Sequence, residues 1–324
     1  MKVAILGAGK IARHMANAIN GLDESIEAYA VGAREYEKAK EFAEKWGFQK
    51  AYGSYEEMLS DKEIDLVYVA TPHSHHFEHA KLCLLHGKNV LVEKAFTANA
   101  SMAKELFALA DEKDLFITEA IWTRYMPSRQ MILDIMNSGI IGKPVSIQAN
   151  LCYSIEDVPR MQNPALAGGA LLDLGIYPIN FTSMVFGNDI SSIQGLCEKY
   201  HTGVDAQETI WITYKDGRTA SLFASMRCES DRIGVINGSN GYMEITNINN
   251  CEKISVYDNT HQLIEEHSVP KQINGYEYEV LACQKALSEG KTECMEMPHA
   301  ETVLMLEWMD SLRKAWDIKY PFEK

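Results

Sequence analysis

Two short stretches of this 324-residue chain carry side chains that could move a proton. In the first, the strand-like run at 89–92 ends abruptly on Glu93 and Lys94. Desolvation at the C-terminal end of a buried parallel strand disfavours an ammonium's charged form and prepares it for acid–base work; Glu93 stands beside it to hold it in place. A salt-bridged lysine at a strand exit is the plainer alternative. In the second, AGGALLDLGIYPIN at 167–180 opens a helix with Asp173 and Tyr177 one turn apart on one face. Pro178 removes a backbone hydrogen bond and is expected to kink that helix. A phenol near an ammonium has its phenolate stabilised, so Tyr177 could exchange a proton with a substrate hydroxyl. A helix cap plus a half-buried tyrosine is the competing reading.

A third stretch, TPHSHHFEHA at 71–80, holds four histidines. His75 and His79 share a helical face, with His73 and His76 close by, but no carboxylate or cysteine completes a recognisable ligand set, so no metal is expected. Thr71-Pro72 reads as a helix start beside a cofactor, with His76 or His73 touching it.

These residues need elements to place them. The strand-like run at 2–6 feeds into GAGKIA at 7–12 and then a helix. Gly7 permits the turn, Gly9 lets backbone approach a pyrophosphate, and Ala12 lets helix and strand pack closely; the N–H groups around Lys10 and Ile11 face the phosphates. A flavodoxin-like domain whose glycines merely turn the chain is the alternative. Further strands at 27–33, 64–72, 89–92 and 115–121 alternate with helices, which predicts a doubly wound parallel sheet. After the second strand, Arg34 and Lys38 form a cationic pair suited to a 2′-phosphate, which favours NADP. NAD remains open if Arg34 stacks on adenine and Glu35 takes the ribose.

Beyond residue 121 the rhythm changes. Strands at 190–199, 207–215, 218–226, 232–237, 241–246 and 252–257, with helices at 169–186, 276–289 and 299–316, predict an α+β domain with a large, open, mostly antiparallel sheet. The expected division is 1–120 and 121–324, the last helix packing back on the first domain. A net charge of −14 argues against nucleic acid or an anionic membrane as the main partner. No stretch approaches the ~18 apolar residues of a membrane span. Seven cysteines without CxxC spacing read as reduced thiols, which points to the cytoplasm.

Taken together, GAGKIA, VATPHSHHFEHA, GKNVLVEKA, GGALLDLGIYP and GSNGYMEI resemble the Gfo/Idh/MocA oxidoreductases over nearly the whole chain. EAIWTRYMP at 119–127 is similar to the branch holding the dimeric dihydrodiol dehydrogenases and NADP-dependent D-xylose 1-dehydrogenases. The resemblance implies a Rossmann domain and a second domain whose open sheet makes a homodimer or dimer-of-dimers. It also implies hydride transfer between a nicotinamide and a sugar or cyclic diol carbon. By position, Lys94 falls on the lysine of the family's Glu-Lys-Pro motif, and Asp173 and Tyr177 fall on its Asp-xxx-His/Tyr pair. Trp122, Arg124 and Tyr153 would line the substrate pocket. Two positions depart from the pattern: Ala95 stands where proline is usual, and His73 where asparagine is common. An NAD(P)-linked reductase of a non-sugar carbonyl or imine is one alternative. A redox sensor without turnover is another, but it would have no use for Lys94, Asp173 and Tyr177.

Overall fold

The computed structural model describes residues 1–323. The first part of the chain forms β1 (Lys2–Leu6), α1 (Lys10–Gly21), β2 (Glu27–Gly32), α2 (Tyr36–Trp46), β3 (Lys50–Tyr52) and α3 (Tyr55–Leu59). β4 (Leu66–Val69), α4 (His73–Leu85), β5 (Asn89–Glu93), α5 (Ala100–Lys113) and β6 (Ile117–Ala120) follow. Next come α6 (Pro127–Asn137), β7 (Pro144–Cys152), α7 (Pro159–Gln162) and α8 (Ile176–Phe186). The strands β8 (Ile190–Lys199), β9 (Asp205–Tyr214), β10 (Thr219–Ser225), β11 (Gly234–Gly238), β12 (Gly241–Thr246), β13 (Lys253–Asp258) and β14 (Leu263–Ser268) precede α9 (Glu277–Ser288) and α10 (His299–Ala315).

Two compact units result, one of Met1–Tyr125 with Gln272–Leu304, the other of Met126–Lys271 with Met305 onward. They are not consecutive segments, unlike the division drawn at residue 120. The physical reason lies in specific bonds. Ile117 N donates to Thr292 O at 3.1 Å, and Asn274 Nδ2 donates to His14 O at 2.8 Å. His299 stacks on Phe107 at 4.0 Å, which places the start of α10 in the first unit.

In the first unit the sheet is parallel, in the order β3-β2-β1-β4-β5-β6. The chain builds outward from β1 to β3, then restarts beside β1 and builds the other way. That reversal between β1 and β4 is where ligands bind, at the carboxyl ends of the strands. Every residue of Leu66–Val69 and Val90–Val92 is buried, as sheet faces covered on both sides require. Ser54 caps α3 by accepting from Glu57 N at 3.1 Å, as the Ser-x-x-Glu spacing predicts. β3 has too few residues and too polar a start to stand out in the sequence.

In the second unit the sheet order is β14-β13-β12-β11-β7-β10-β9-β8. All neighbours are antiparallel except β7 and β10, which run parallel with Ser146 beside Thr219. β14 went unread in the sequence because its residues are mostly exposed and charged, as an edge strand's often are. Pro164–Phe186 is long and apolar enough to cross a membrane, which corrects the expectation that no stretch is. Of its most apolar 18-residue stretch, 94% is buried within the protein, the position of a core helix.

That segment is not a single kinked α-helix. Leu171–Gly175 forms a π-turn and α8 begins only at Ile176. Pro178 explains the form: it donates no N–H, and its ring would press on the carbonyl one α-turn earlier. Widening the preceding turn removes that conflict.

Candidate active site

Gly7 leaves β1 with φ of +107°, and its N–H donates to Gly32 O at 2.9 Å. A Cβ there would meet Ala70 O at 3.0 Å, so the turn accepts only glycine. Gly9 is different. Its φ is an ordinary −83°, and a Cβ would meet only Ala70 O at 3.9 Å. No packing demands a glycine at this position; a methyl would instead stand before the N-terminus of α1. That terminus has no side-chain cap and no acidic residue in its first turn, where Lys10 and Ile11 lie. Its N–H groups and positive dipole end therefore suit a pyrophosphate, and the loop fits a dinucleotide.

At the exit of β2, Arg34 and Lys38 are both exposed. Lys38 Nζ pairs with Glu35 Oε1 at 2.6 Å. Arg34 instead bears on α4, where its charge helps hold His75 and His79 below the ordinary imidazole value, after the larger effect of burial. His79 is pushed down to about 4, stacks on His75 at 5.6 Å and meets the edge of Tyr55 at 5.0 Å. Thr71 Oγ1 lies 3.0 Å from His79 Nδ1. Pro72 sits at the N-cap of α4, where the missing N–H costs nothing.

His76 is wholly buried, with Nδ1 2.8 Å from Ala95 O and Nε2 2.7 Å from Thr71 O. Burial outweighs the pull of both carbonyls and holds the ring at about 4. The neutral ring donates to one of these carbonyls and faces the other with its unprotonated nitrogen, so His76 packs between the β4 exit and the β5 exit. This differs from the expectation that it touches a dinucleotide. His73, also buried, meets His76 edge-on at 5.6 Å.

The exit of β5 is held by acids. Glu93 is buried; its Oε1 accepts from the Tyr68 hydroxyl and its Oε2 from Lys94 N at 3.1 Å. The Lys94–Ala95 peptide is cis. Phe96 N then donates to Glu119 Oε1 at 3.1 Å. Burial pushes the Glu119 carboxyl up to about 7. Lys94 thus leaves a strand whose continuation is fixed by two buried carboxyls. The sequence pattern pointed to Glu93 but not to Glu119 or Tyr68.

Past β6, the Trp122 ring stacks on Tyr276 at 4.4 Å, and Tyr276 stacks on His14 at 6.0 Å. The Trp122 indole N–H is buried with no hydrogen-bond partner among the described residues. Arg124 corrects the sequence reading: it is 2% exposed, and its Nη2 donates to Glu301 Oε1 at 2.7 Å. A buried guanidinium needs such a partner, and the bond makes Arg124 part of the packing instead of a pocket wall. No group of three or more His, Cys, Asp or Glu among the described residues is placed to hold a metal ion.

In the second unit Asp173 and Tyr177 are both buried, and Asp173 Oδ2 accepts from Arg160 Nη2 on α7 at 2.9 Å. Asp205, on β9, accepts from Leu171 N and so holds the start of the π-turn. Gly169, with φ of +117°, leaves room for that carboxylate, because a Cβ would collide with it. Gly175 does the same for Glu208: a Cβ would come within 2.6 Å of Glu208 Oε1. Neither Glu208 oxygen has a hydrogen-bond partner among the described residues, and burial followed by the charge of Asp205 raises its pKa well above the usual range. A signal for it existed. Glu208 shares the inward register of β9 with Ala206, Ile210 and Ile212. The Tyr153 hydroxyl, just past β7, accepts from Arg232 Nη1 at 3.2 Å and Asn249 Nδ2 at 3.3 Å.

Comparison with known proteins gives a consistent result. Residues 1–120 match a family model described as an oxidoreductase family with an NAD-binding Rossmann fold, and 130–244 match a GFO/IDH/MocA C-terminal domain. The human trans-1,2-dihydrobenzene-1,2-diol dehydrogenase is 34% identical over 92% of this chain and 91% of its own length. The pig enzyme of that name is 33% identical over 100% and 99%. In fold, a 3-ketoreductase from Actinomadura kijaniata, solved with NADP and TDP-benzene, matches with a TM-score of 0.89 at 24% identity, covering 97% of both chains. An aldose-aldose oxidoreductase from Caulobacter crescentus matches at 0.87 with 18% identity, covering 98% of this chain and 97% of its own.

Proposed function

The chain belongs to the GFO/IDH/MocA oxidoreductase family, and from that premise we propose that it is an NADP-dependent dehydrogenase acting on a CH–OH carbon of a cyclic diol or sugar. The observation that carries this reading is the 34% identity to a trans-dihydrodiol dehydrogenase along 92% of the chain. A bound nicotinamide supplies the two-electron acceptor. The protein's own part is binding and proton handling. The α1 N-terminus and Gly9 take the pyrophosphate, and Arg34, exposed at the β2 exit, takes the 2′-phosphate. Lys94, leaving the acid-held end of β5, donates a hydrogen bond to the reacting oxygen. Tyr177 removes the hydroxyl proton, and Asp173, anchored by Arg160, orients the ring that carries it. Trp122 gives a flat apolar wall.

The same reading makes the protein a homodimer through the outer face of the second sheet, where Leu196 is 71% and Trp211 46% exposed. Sedimentation of the wild type and of Trp211→Glu tests that part, with a monomeric wild type as the refuting result. The activity is tested by following reduced-nicotinamide absorbance with NADP or NAD against trans-dihydrodiols, pentoses and hexoses. Reduction of NADP by at least one of them is expected. Binding of NADP without turnover of any alcohol would overturn the dehydrogenase assignment.

A further inference from the structure

Glu279 has no place in the chemistry above, yet it is wholly buried in the first unit. It lies on α9 in the inward stripe with Val280, Cys283 and Ala286. Neither of its oxygens has a hydrogen-bond partner among the described residues. The ionisable groups that act on it are Glu93 on β5, then Cys294 and Glu277, and none is a base. Tyr68 on β4, Tyr125 beyond β6 and Cys283 on α9 lie within its electrostatic reach and are weak acids as well. Glu277 accepts from the N–H groups of Ile273 at 2.6 Å and Gly275 at 2.7 Å.

Two carboxyls that interact in a dry interior cannot both ionise cheaply. The partners decide which one does. Glu93 accepts from the Tyr68 hydroxyl and the Lys94 backbone N–H, and both bonds favour its carboxylate. Glu279 receives no such donor. We propose that Glu279 is a positioning residue for Lys94: a neutral carboxyl within electrostatic reach of Glu93 that confines the pair's single negative charge to the group accepting from the lysine backbone N–H. Ionising Glu279 would place a second negative charge within reach of that bond. The burial and the Glu93 charge that raise its pKa well above the usual glutamate range agree with this assignment. The role in catalysis rests on the dehydrogenase reading; the protonation does not.

The protonation is tested without substrate or cofactor. An unfolded glutamate titrates near ~4.3, so the stability tied to holding this proton is full below that pH and is lost as pH rises towards the folded value. Glu279→Gln keeps the shape and cannot ionise. Its melting temperature should match the wild type near pH 4 and exceed it by at least about 3 °C at pH 8. A constant difference across that range would overturn the proposal. Should the variant fail to fold, carboxyl-carbon NMR of Glu208→Gln, which removes the other deeply buried unpartnered glutamate, must still show one protonated glutamate at pH 8. Its absence overturns the proposal equally. The positioning role is read from the pH profile of turnover. Glu279→Gln should keep kcat within about threefold at pH 7 and lose less activity than the wild type on the alkaline side. Coincident alkaline limbs would remove the role while leaving the protonation and the dehydrogenase reading intact. If no alcohol is turned over, the reading above fails and the melting result still stands.

Discussion

The exit of β5 and the π-turn before α8 use the same device on different scaffolds. Each holds backbone N–H groups with buried carboxyls: Glu93 and Glu119 grip Lys94 and Phe96, and Asp205 grips Leu171. Each also buries a glutamate with no hydrogen-bond partner among the described residues, Glu279 in one and Glu208 in the other. The difference is in where the support comes from. Glu93 adjoins the lysine it positions, whereas Asp205 reaches the π-turn from a strand 34 residues further along the chain. A parallel strand delivers a side chain to its carboxyl end by geometry alone. A helix must be deformed, and something distant must hold the deformation.

The hardest test of the likeness removes the reacting groups. Tyr177→Phe should lower kcat by about 10²–10⁴-fold with NADP binding kept, as should Lys94→Ala, read by steady-state kinetics and fluorescence titration. Loss confined to one of them would mean that only one region does chemistry. Next in size, Asp205→Ala strips a charged acceptor from Leu171 N. It should cost about 1.5–3 kcal/mol by urea unfolding. NADP affinity, which belongs to the first unit, should not change.

Glu119 gives a milder contrast through pH. Its carboxyl, raised to about 7 by burial, makes its contribution in full below the unfolded value near ~4.3, and that contribution is lost as pH rises towards 7. Glu119→Gln should flatten the melting temperature between those limits; an unaltered slope would show that Glu119 is ionised throughout. The smallest effect belongs to Lys38→Ala. An exposed pair with Glu35 contributes little, and NADP binding should fall far less than in Arg34→Ala. Equal losses would mean that the two act as a cationic pair.

These contrasts also explain what could be read from the sequence. The Rossmann half was legible because its signals are local: an apolar run, a glycine turn, a helix. The alternation of strands and helices, the loop at Gly7 and Gly9 and the place of Lys94 at a strand's end follow from that grammar. Arg124 misled because Trp-Thr-Arg carries no sign of Glu301, 177 residues away. His76 misled for the same reason, since its two carbonyl partners are backbone atoms with no identity to read. The π-turn was hidden as well. Pro178 announced a distortion, but Asp205, which holds the start of the turn, lies 34 residues away on β9, with nothing in the local sequence to join the two.

The return of residues 272–304 to the first unit has a consequence for the newborn chain. As the protein leaves the ribosome, β6 is complete long before Thr292 arrives to accept from Ile117, or Tyr276 to cover Trp122. The nucleotide-binding half must therefore wait, unfinished along one side, while the whole eight-stranded sheet is synthesised. A fragment cut after Tyr125 should behave as a partly folded species that exposes Trp122, and supplying 272–304 as a separate peptide should quench it.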